Sequence, residues 1–292
     1  MKMSFLFAGL ITITSAAGCF GQDRQPDPTW LHRFVPEVKE QASDLTTSTC
    51  RYRPVFGVGD SAARIPKGVT RYGELTVGPG GVSGMVSYAD EEQIYFVLEG
   101  EGLLQYGEET ARIRREDFMY LPPGIRHAVS NPAGSGLCRV MVMGFRVSAS
   151  DTSKRPDRLM LANVADVPKQ TVANHPPSTL FQLLLGTTES KRDKLAASQT
   201  VTSLFVMEFD PEGTNFPHHH DREEEIYFVL DGQGDMVAGG GMDGIEGRHP
   251  AKAGDAYFFR LNCTVGFYSR TGADQPKARI LAVRSLYPFS QR

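Results

Sequence analysis

One segment of this chain occurs twice, and that repeat limits the fold more than any other feature. Glu91-Glu92-Gln93-Ile94-Tyr95-Phe96-Val97-Leu98-Glu99-Gly100 aligns without gaps on Glu223-Glu224-Glu225-Ile226-Tyr227-Phe228-Val229-Leu230-Asp231-Gly232. The offset, from Glu91 to Glu223, is 132 residues, about one small β domain. Pro79 and Gly81 fall on Pro211 and Gly213 at the same offset. Each copy is an aromatic and β-branched run closed by an acidic residue and a glycine, the pattern of a strand entering a tight turn. The chain therefore reads as two copies of one β unit, with a seam near 148–156 where Ser, Asp, Thr and Lys cluster. Thirty glycines and eighteen prolines spread along 292 residues fit many short strands joined by turns. Helical periodicity is nearly absent: Asn163 to Lys169 and Lys191 to Ala197 support a short helical turn each at most.

The second copy carries the residues with chemistry. It is preceded by Gly213-Thr214-Asn215-Phe216-Pro217-His218-His219-His220. His218 and His220 stand two apart, so in an extended segment their imidazoles share a face. Glu225 returns to that face from across a turn. Two imidazoles and a carboxylate form a mixed N/O set suited to a divalent transition metal, with manganese, iron, nickel and zinc all admitted. Glu224 is the alternative carboxylate, with Glu225 then turned outward. His219, of opposite parity, faces solvent or stands behind the ligands. The plain alternative is a metal-free surface loop rich in His and Glu.

Gly213, His218-x-His220, Glu225 and Gly232 together resemble the first signature motif of the cupin superfamily, with the glycine-to-histidine gap one residue shorter than usual. The resemblance runs from about Thr46 to the end. It implies an all-β fold of two tandem cupin barrels, each a double-stranded β-helix or jelly roll. The division drawn from it is 1–21 export signal, 22–45 N-terminal arm, 46–150 first barrel without metal, and 151–292 second barrel with metal.

The two copies differ in what they keep of the motifs. The first retains Pro122-x-Gly124-x-x-His127-x-x-x-Asn131, with Glu116 where a glycine is usual. Its other ligand positions are Val86, Tyr88 and Gln93, so His127 is expected to be a hydrogen-bonded interior histidine beside a small pocket lined by Tyr88, Gln93 and itself. The second copy keeps His218, His220 and Glu225 but has Val265 where the resemblance implies a third histidine, and Arg260 and Asn262 in place of proline and glycine. Val265 is expected to form an apolar pocket wall, with Tyr257, Arg260 and Asn262 as rim contacts to an anionic substrate; the plain alternative for Arg260 is a solvated surface charge.

Near-balanced charge, 31 basic against 34 acidic residues, leaves no basic block for nucleic acid. Lys2, the apolar Phe5 to Ile13 and small residues from Ser15 to Gly18 read as an export signal, too short for a transmembrane span. Ala16-Ala17-Gly18-Cys19 resembles a lipobox, which makes Cys19 a lipid-anchor position as well-founded as simple secretion. Cys50, Cys138 and Cys263 are either one disulfide plus a thiol or three small buried hydrophobes. The arm, with Trp30, Leu31, Phe34 and Val35 as its apolar cluster, is expected to pack across a neighbouring sheet.

Two functional classes follow. One is an exported metal-dependent enzyme of dioxygenase, decarboxylase, isomerase or hydrolase type acting on a small polar organic molecule; the other is a non-catalytic binder of a sugar or small molecule. The plan of two barrels with metal in the second also resembles ureidoglycine aminohydrolases, more distantly. Oxalate decarboxylases differ in carrying full ligand sets in both barrels. Exposed barrel strands favour a homodimer. An enclosed cavity of a few hundred Å³ beside the three ligands distinguishes small-molecule chemistry from a filled scaffold.

Overall fold

The structure, a computed structural model, describes residues 26–132, 136–147, 156–240, 245–272, 274 and 276–288. The export segment and Cys19 lie outside the described residues, as does most of the seam.

Nineteen strands are present among the described residues: β1 (Trp30–Phe34), β2 (Cys50–Gly57), β3 (Val69–Val77), β4 (Glu91–Glu99), β5 (Glu101–Tyr106), β6 (Glu109–Arg114), β7 (Asp117–Leu121), β8 (His127–Ser130), β9 (Cys138–Arg146), β10 (Met160–Asn163), β11 (Thr179–Thr187), β12 (Leu195–Ser198), β13 (Val201–Phe209), β14 (Glu223–Asp231), β15 (Gln233–Gly239), β16 (Glu246–Lys252), β17 (Asp255–Phe259), β18 (Thr264–Ser269) and β19 (Ala278–Leu286). They form four sheets, two per barrel. The first barrel pairs the sheet β10-β7-β4-β9-β3-β2 with β6-β5-β8; the second pairs β1-β17-β14-β19-β13-β11-β12 with β16-β15-β18. The all-β, two-barrel expectation holds. Short 3-10 turns at Val35–Glu37 and Val164–Asp166 are the helical elements among the described residues. The Lys191 to Ala197 stretch differs from expectation: Leu195–Ser198 pairs in parallel with β11 instead of turning helically.

The repeated Ile-Tyr-Phe-Val-Leu run is continuous rather than alternating because both faces of its strand are buried. On β4, Tyr95 and Val97 point into the first barrel, whereas Ile94 and Phe96 belong to a cluster shared by both barrels. Strand β14 repeats this, with Tyr227 and Val229 inside the second barrel and Ile226 and Phe228 in the shared cluster. The large sheets thus pack face to face, as the rings of Phe56 and Phe258, 5.9 Å apart, illustrate. Each barrel has its own interior and a third core joins them.

Strand pairing crosses the boundary drawn at 150/151. Strand β10 extends the first barrel's sheet through β7, and the arm strand β1 extends the second barrel's sheet through β17. The arm therefore does pack on a sheet, but on the one more distant in sequence. Glu116, at the usual glycine position, has φ 66°, and its counterpart Gly254 has φ 94°. The left-handed backbone that glycine adopts freely is held at Glu116 by an ion pair to Arg279 of the other barrel, 2.7 Å long. Cys50, Cys138 and Cys263 are buried thiols that form no disulfide among the described residues. Burial raises the first two to about 12 and 11, so they serve as small hydrophobes.

Candidate metal centre

The segment from Thr214 to His220 lies against β18, with the backbone of His218 bonded both ways to Val265 at 2.9 and 2.8 Å. Strand β14 then enters beside it. This brings His218, His220 and Glu225 together: one ligating atom from each lies within 4.8 Å of the others. Glu224 points away, into the interface between barrels, where it accepts hydrogen bonds from Lys67 and Gly68 N–H. Strand parity therefore assigns the inward carboxylate to Glu225. His219 is exposed.

The donor set fits a divalent ion. His220 Nε2 and Glu225 Oε2 are buried, 3.2 Å apart, and neither makes a well-formed hydrogen bond. Two ligands at right angles on an ion at about 2.1 Å stand about 3 Å apart, so one ion satisfies both orphaned atoms. His218 Nδ1 lies 2.8 Å from the Phe216 carbonyl. A carbonyl only accepts, so this nitrogen carries the proton and Nε2 keeps its lone pair, the arrangement of a metal-ligating imidazole.

The electrostatics are those of a coupled site. Burial holds His218 below its ordinary pKa, with the neighbouring Glu225 charge opposing it in part. At His220 burial works in the same direction but is overcome by the Glu225 carboxylate, and the pKa rises. Glu225 is fully enclosed, which favours its neutral form, yet His220 and then Arg284 bring its pKa below the usual range.

A cavity of about 330 Å³ opens beside the three ligands. Its lining comes from β11, β13, β14, β19 and the loops at 172–175 and 215–218. The expected pocket residues do not line it. Val265 is buried in the barrel core and seals that side. Tyr257 stacks on His32 at 4.5 Å, beside Trp30, and its hydroxyl lies 3.3 Å from the Pro250 carbonyl. Arg260 stands outside the cavity as well, near enough to Glu224 for its charge to oppose the effect of burial on that carboxyl. The cavity lies on the other flank of His218, where His175 and Arg284 stand, two residues the motif reading did not single out. His175 packs edge-on against His218 with ring centroids 5.3 Å apart, and its Nδ1 donates to the Asn215 carbonyl at 2.8 Å.

In the first barrel, Val86, Tyr88 and Gln93 take the corresponding places, and an arginine occupies the centre. Arg71 Nε lies 3.0 Å from Glu91 Oε2, and its Nη1 donates to Tyr88 Oη at 2.9 Å. His127 is buried, with Nδ1 on the Ile125 carbonyl and Nε2 accepting from Tyr95 Oη, both at 3.1 Å. Burial pushes its pKa down to about 4. It is a satisfied interior histidine.

Two jelly-roll barrels packed back to back, one with an inward cluster of two histidines and a glutamate, define the class of protein. The cupin-domain model matches residues 73–144 and 205–283, more than half of the chain, once in each barrel. The chain belongs to the cupin family and is a two-domain member of it. Among solved structures it is similar to a putative glyoxylate-induced protein of Pseudomonas aeruginosa (TM-score 0.71, 16% identity, 93% of this chain and 95% of that one). It is also similar to protein Ylba of E. coli (0.67, 12%, 91% and 94%) and to oxalate decarboxylase of Lactobacillus farciminis (0.63, 11%, 87% and 85%). At these identities the likeness is one of fold. An uncharacterized protein of Methanocaldococcus jannaschii is 38% identical over 40 residues, 14% of this chain and 32% of its own length, so the chain spans about a third of that relative. Among the described residues no helix is long and apolar enough to cross a membrane.

Proposed function

We propose that this bicupin is an exported enzyme that acts on a small polar organic molecule at a divalent transition metal in its second barrel. His218, His220 and Glu225 would hold the ion. When bound, it would supply Lewis acidity to a group of the substrate. The observation that carries this reading is the pair of buried ligand atoms His220 Nε2 and Glu225 Oε2, 3.2 Å apart and without a well-formed hydrogen bond, at the wall of a cavity of about 330 Å³. Three protein ligands leave coordination positions for a substrate, as in open catalytic sites. Tyr227, held by Asn215 at 3.0 Å, and the Val172 to Asn174 edge would shape and shield the chamber.

The test is elemental analysis of protein made without residues 1–21, beside His220→Ala. Near-stoichiometric manganese, iron, nickel or zinc that disappears in the variant supports the reading. No metal in either protein after reconstitution removes it. The second reading, a non-catalytic binder, draws on Val265 at the position of a third histidine: a weaker site retains a ligand without turning it over. Turnover screening of the metal-loaded protein separates the two, and light scattering tests the proposed homodimer.

A further inference from the structure

We infer that the molecule taken up in the second barrel is an anion, a small carboxylic acid whose carboxylate is bound by Arg284. The inference rests on the metal reading above and adds to it the class of substrate.

The argument begins with a comparison of the barrels. Arg71 on β3 faces Gly144 on β9, and Ser203 on β13 faces Arg284 on β19. Ser203 is the repeat counterpart of Arg71, and Arg284 stands opposite Glu225 as Gly144 stands opposite Gln93. Each barrel thus places one guanidinium at the same cross-strand site, delivered from opposite strands. A small partner is required: a Cβ on Gly144 would come within 2.6 Å of Arg71 Cγ.

The two guanidiniums are in different states. Arg71 is consumed within the protein by Glu91, Tyr88 and Asp44. Arg284 is not. Its nearest carboxylate oxygens are Glu223 Oε2 at 3.6 Å from Nη1 and Glu225 Oε1 at 3.9 Å from Nε, and the Nε is buried without a hydrogen-bond partner. An unspent buried donor costs free energy until something accepts from it, and a carboxylate matches the guanidinium fork better than any neutral group. Arg192 adds a second, half-exposed cation to the cavity wall, with Nη2 3.4 Å from Ser203 Oγ. Arg192 is itself paired with Asp193, Nε to Oδ2 at 3.5 Å, so the two arginines and a divalent ion outweigh Glu223, Glu225 and Asp193 by a single positive charge, which a carboxylate would neutralise. Phe181, Leu183 and Phe205 give part of the wall an apolar face against which the body of the acid would pack.

The experiment is calorimetric titration of metal-loaded protein with acetate, lactate and malonate and with their uncharged amides, metal content being measured on every sample. At least one acid is expected to bind about tenfold or more tighter than its amide. Arg284→Gln should abolish that preference while metal stays stoichiometric, Arg284→Lys should restore part of it, and Arg192→Gln should weaken the acid several-fold. Acid and amide binding alike, no acid binding, or a preference unchanged in Arg284→Gln with metal in place overturns the inference and leaves the metal reading standing. A wild type that takes up no metal removes both, and the metal assay shows which has failed. Should Arg284→Gln not fold, the wild-type comparison and Arg192→Gln decide.

Discussion

Glu92 and Glu224 hold the same place in the two copies, and each sends its carboxylate into the other barrel. Glu92 accepts from the backbone N–H groups of Gln199, Thr200 and Val201 at 2.7, 2.8 and 2.9 Å, and from Ser198 Oγ and Tyr120 Oη. Glu224 accepts from the N–H groups of Lys67 and Gly68, the repeat counterparts of Gln199 and Thr200. Both glutamates are fully buried. The pairing is reciprocal, and it fixes the two barrels in one orientation by spending carboxylates on backbone donors that the shared apolar core would otherwise leave unsatisfied.

Glu92→Ala should therefore destabilise the protein by about 3 kcal/mol, since several buried donors lose their acceptor at once. Urea unfolding measures this. A loss under about 0.5 kcal/mol, the range of ordinary surface changes, would show that the clamp contributes little.

The same geometry separates neighbours that sequence could not. Glu224→Gln should leave metal content unchanged while lowering stability; Glu225→Gln should lose the metal. Elemental analysis of the two variants, with unfolding curves, checks both halves. Metal loss in Glu224→Gln with retention in Glu225→Gln would reverse the ligand assignment.

The repeat, the β class and the shared face of His218 and His220 were legible in the chain because they follow from periodicity and local spacing, whereas the two barrels followed from the resemblance to the cupin motif. The choice between Glu224 and Glu225 was not, because in a strand buried on both faces parity says only that the two part company. Nor was the cavity wall. Val265 was rightly read as inward, but the open volume lies on the other flank of His218. Arg284 and His175 carry no motif. Arg284 comes into view only once β19 is registered against β14 opposite Glu225. Glu116, an oddity at a glycine position, became intelligible only with its cross-barrel partner Arg279.

His127 supplies a pH test away from the candidate metal site. Its folded pKa of about 4 lies below the ordinary value of 6.5, so between these values the unfolded chain binds a proton that the folded chain does not. Stability then rises with pH across that window, is complete above about 6.5, and is lost as pH falls toward 4. Between pH 7.5 and 5 this one group should account for a loss of about 2 kcal/mol. His127→Gln should flatten the profile by that amount in denaturant titrations at the two pH values. Parallel profiles would mean that His127 titrates normally.

The reading of the first barrel as metal-free is best tested by trying to build a site there. Val86, Tyr88 and Gln93 occupy the places of His218, His220 and Glu225, and His127 is already present. Ligands alone should not suffice, because the Arg71 guanidinium stands in the space with Glu91 and supplies the positive charge that an ion would bring. Arg71→Ala by itself leaves a buried carboxylate unpaired and should cost about 3–5 kcal/mol. In a Glu225→Gln background, which silences the second barrel, Val86→His with Tyr88→His and Gln93→Glu should still bind no metal. Adding Arg71→Ser, the residue found at position 203, should allow about one equivalent to bind and recover part of the lost stability through binding to the folded state. Metal uptake with Arg71 in place would show that the missing ligands, and not the guanidinium, keep the ion out.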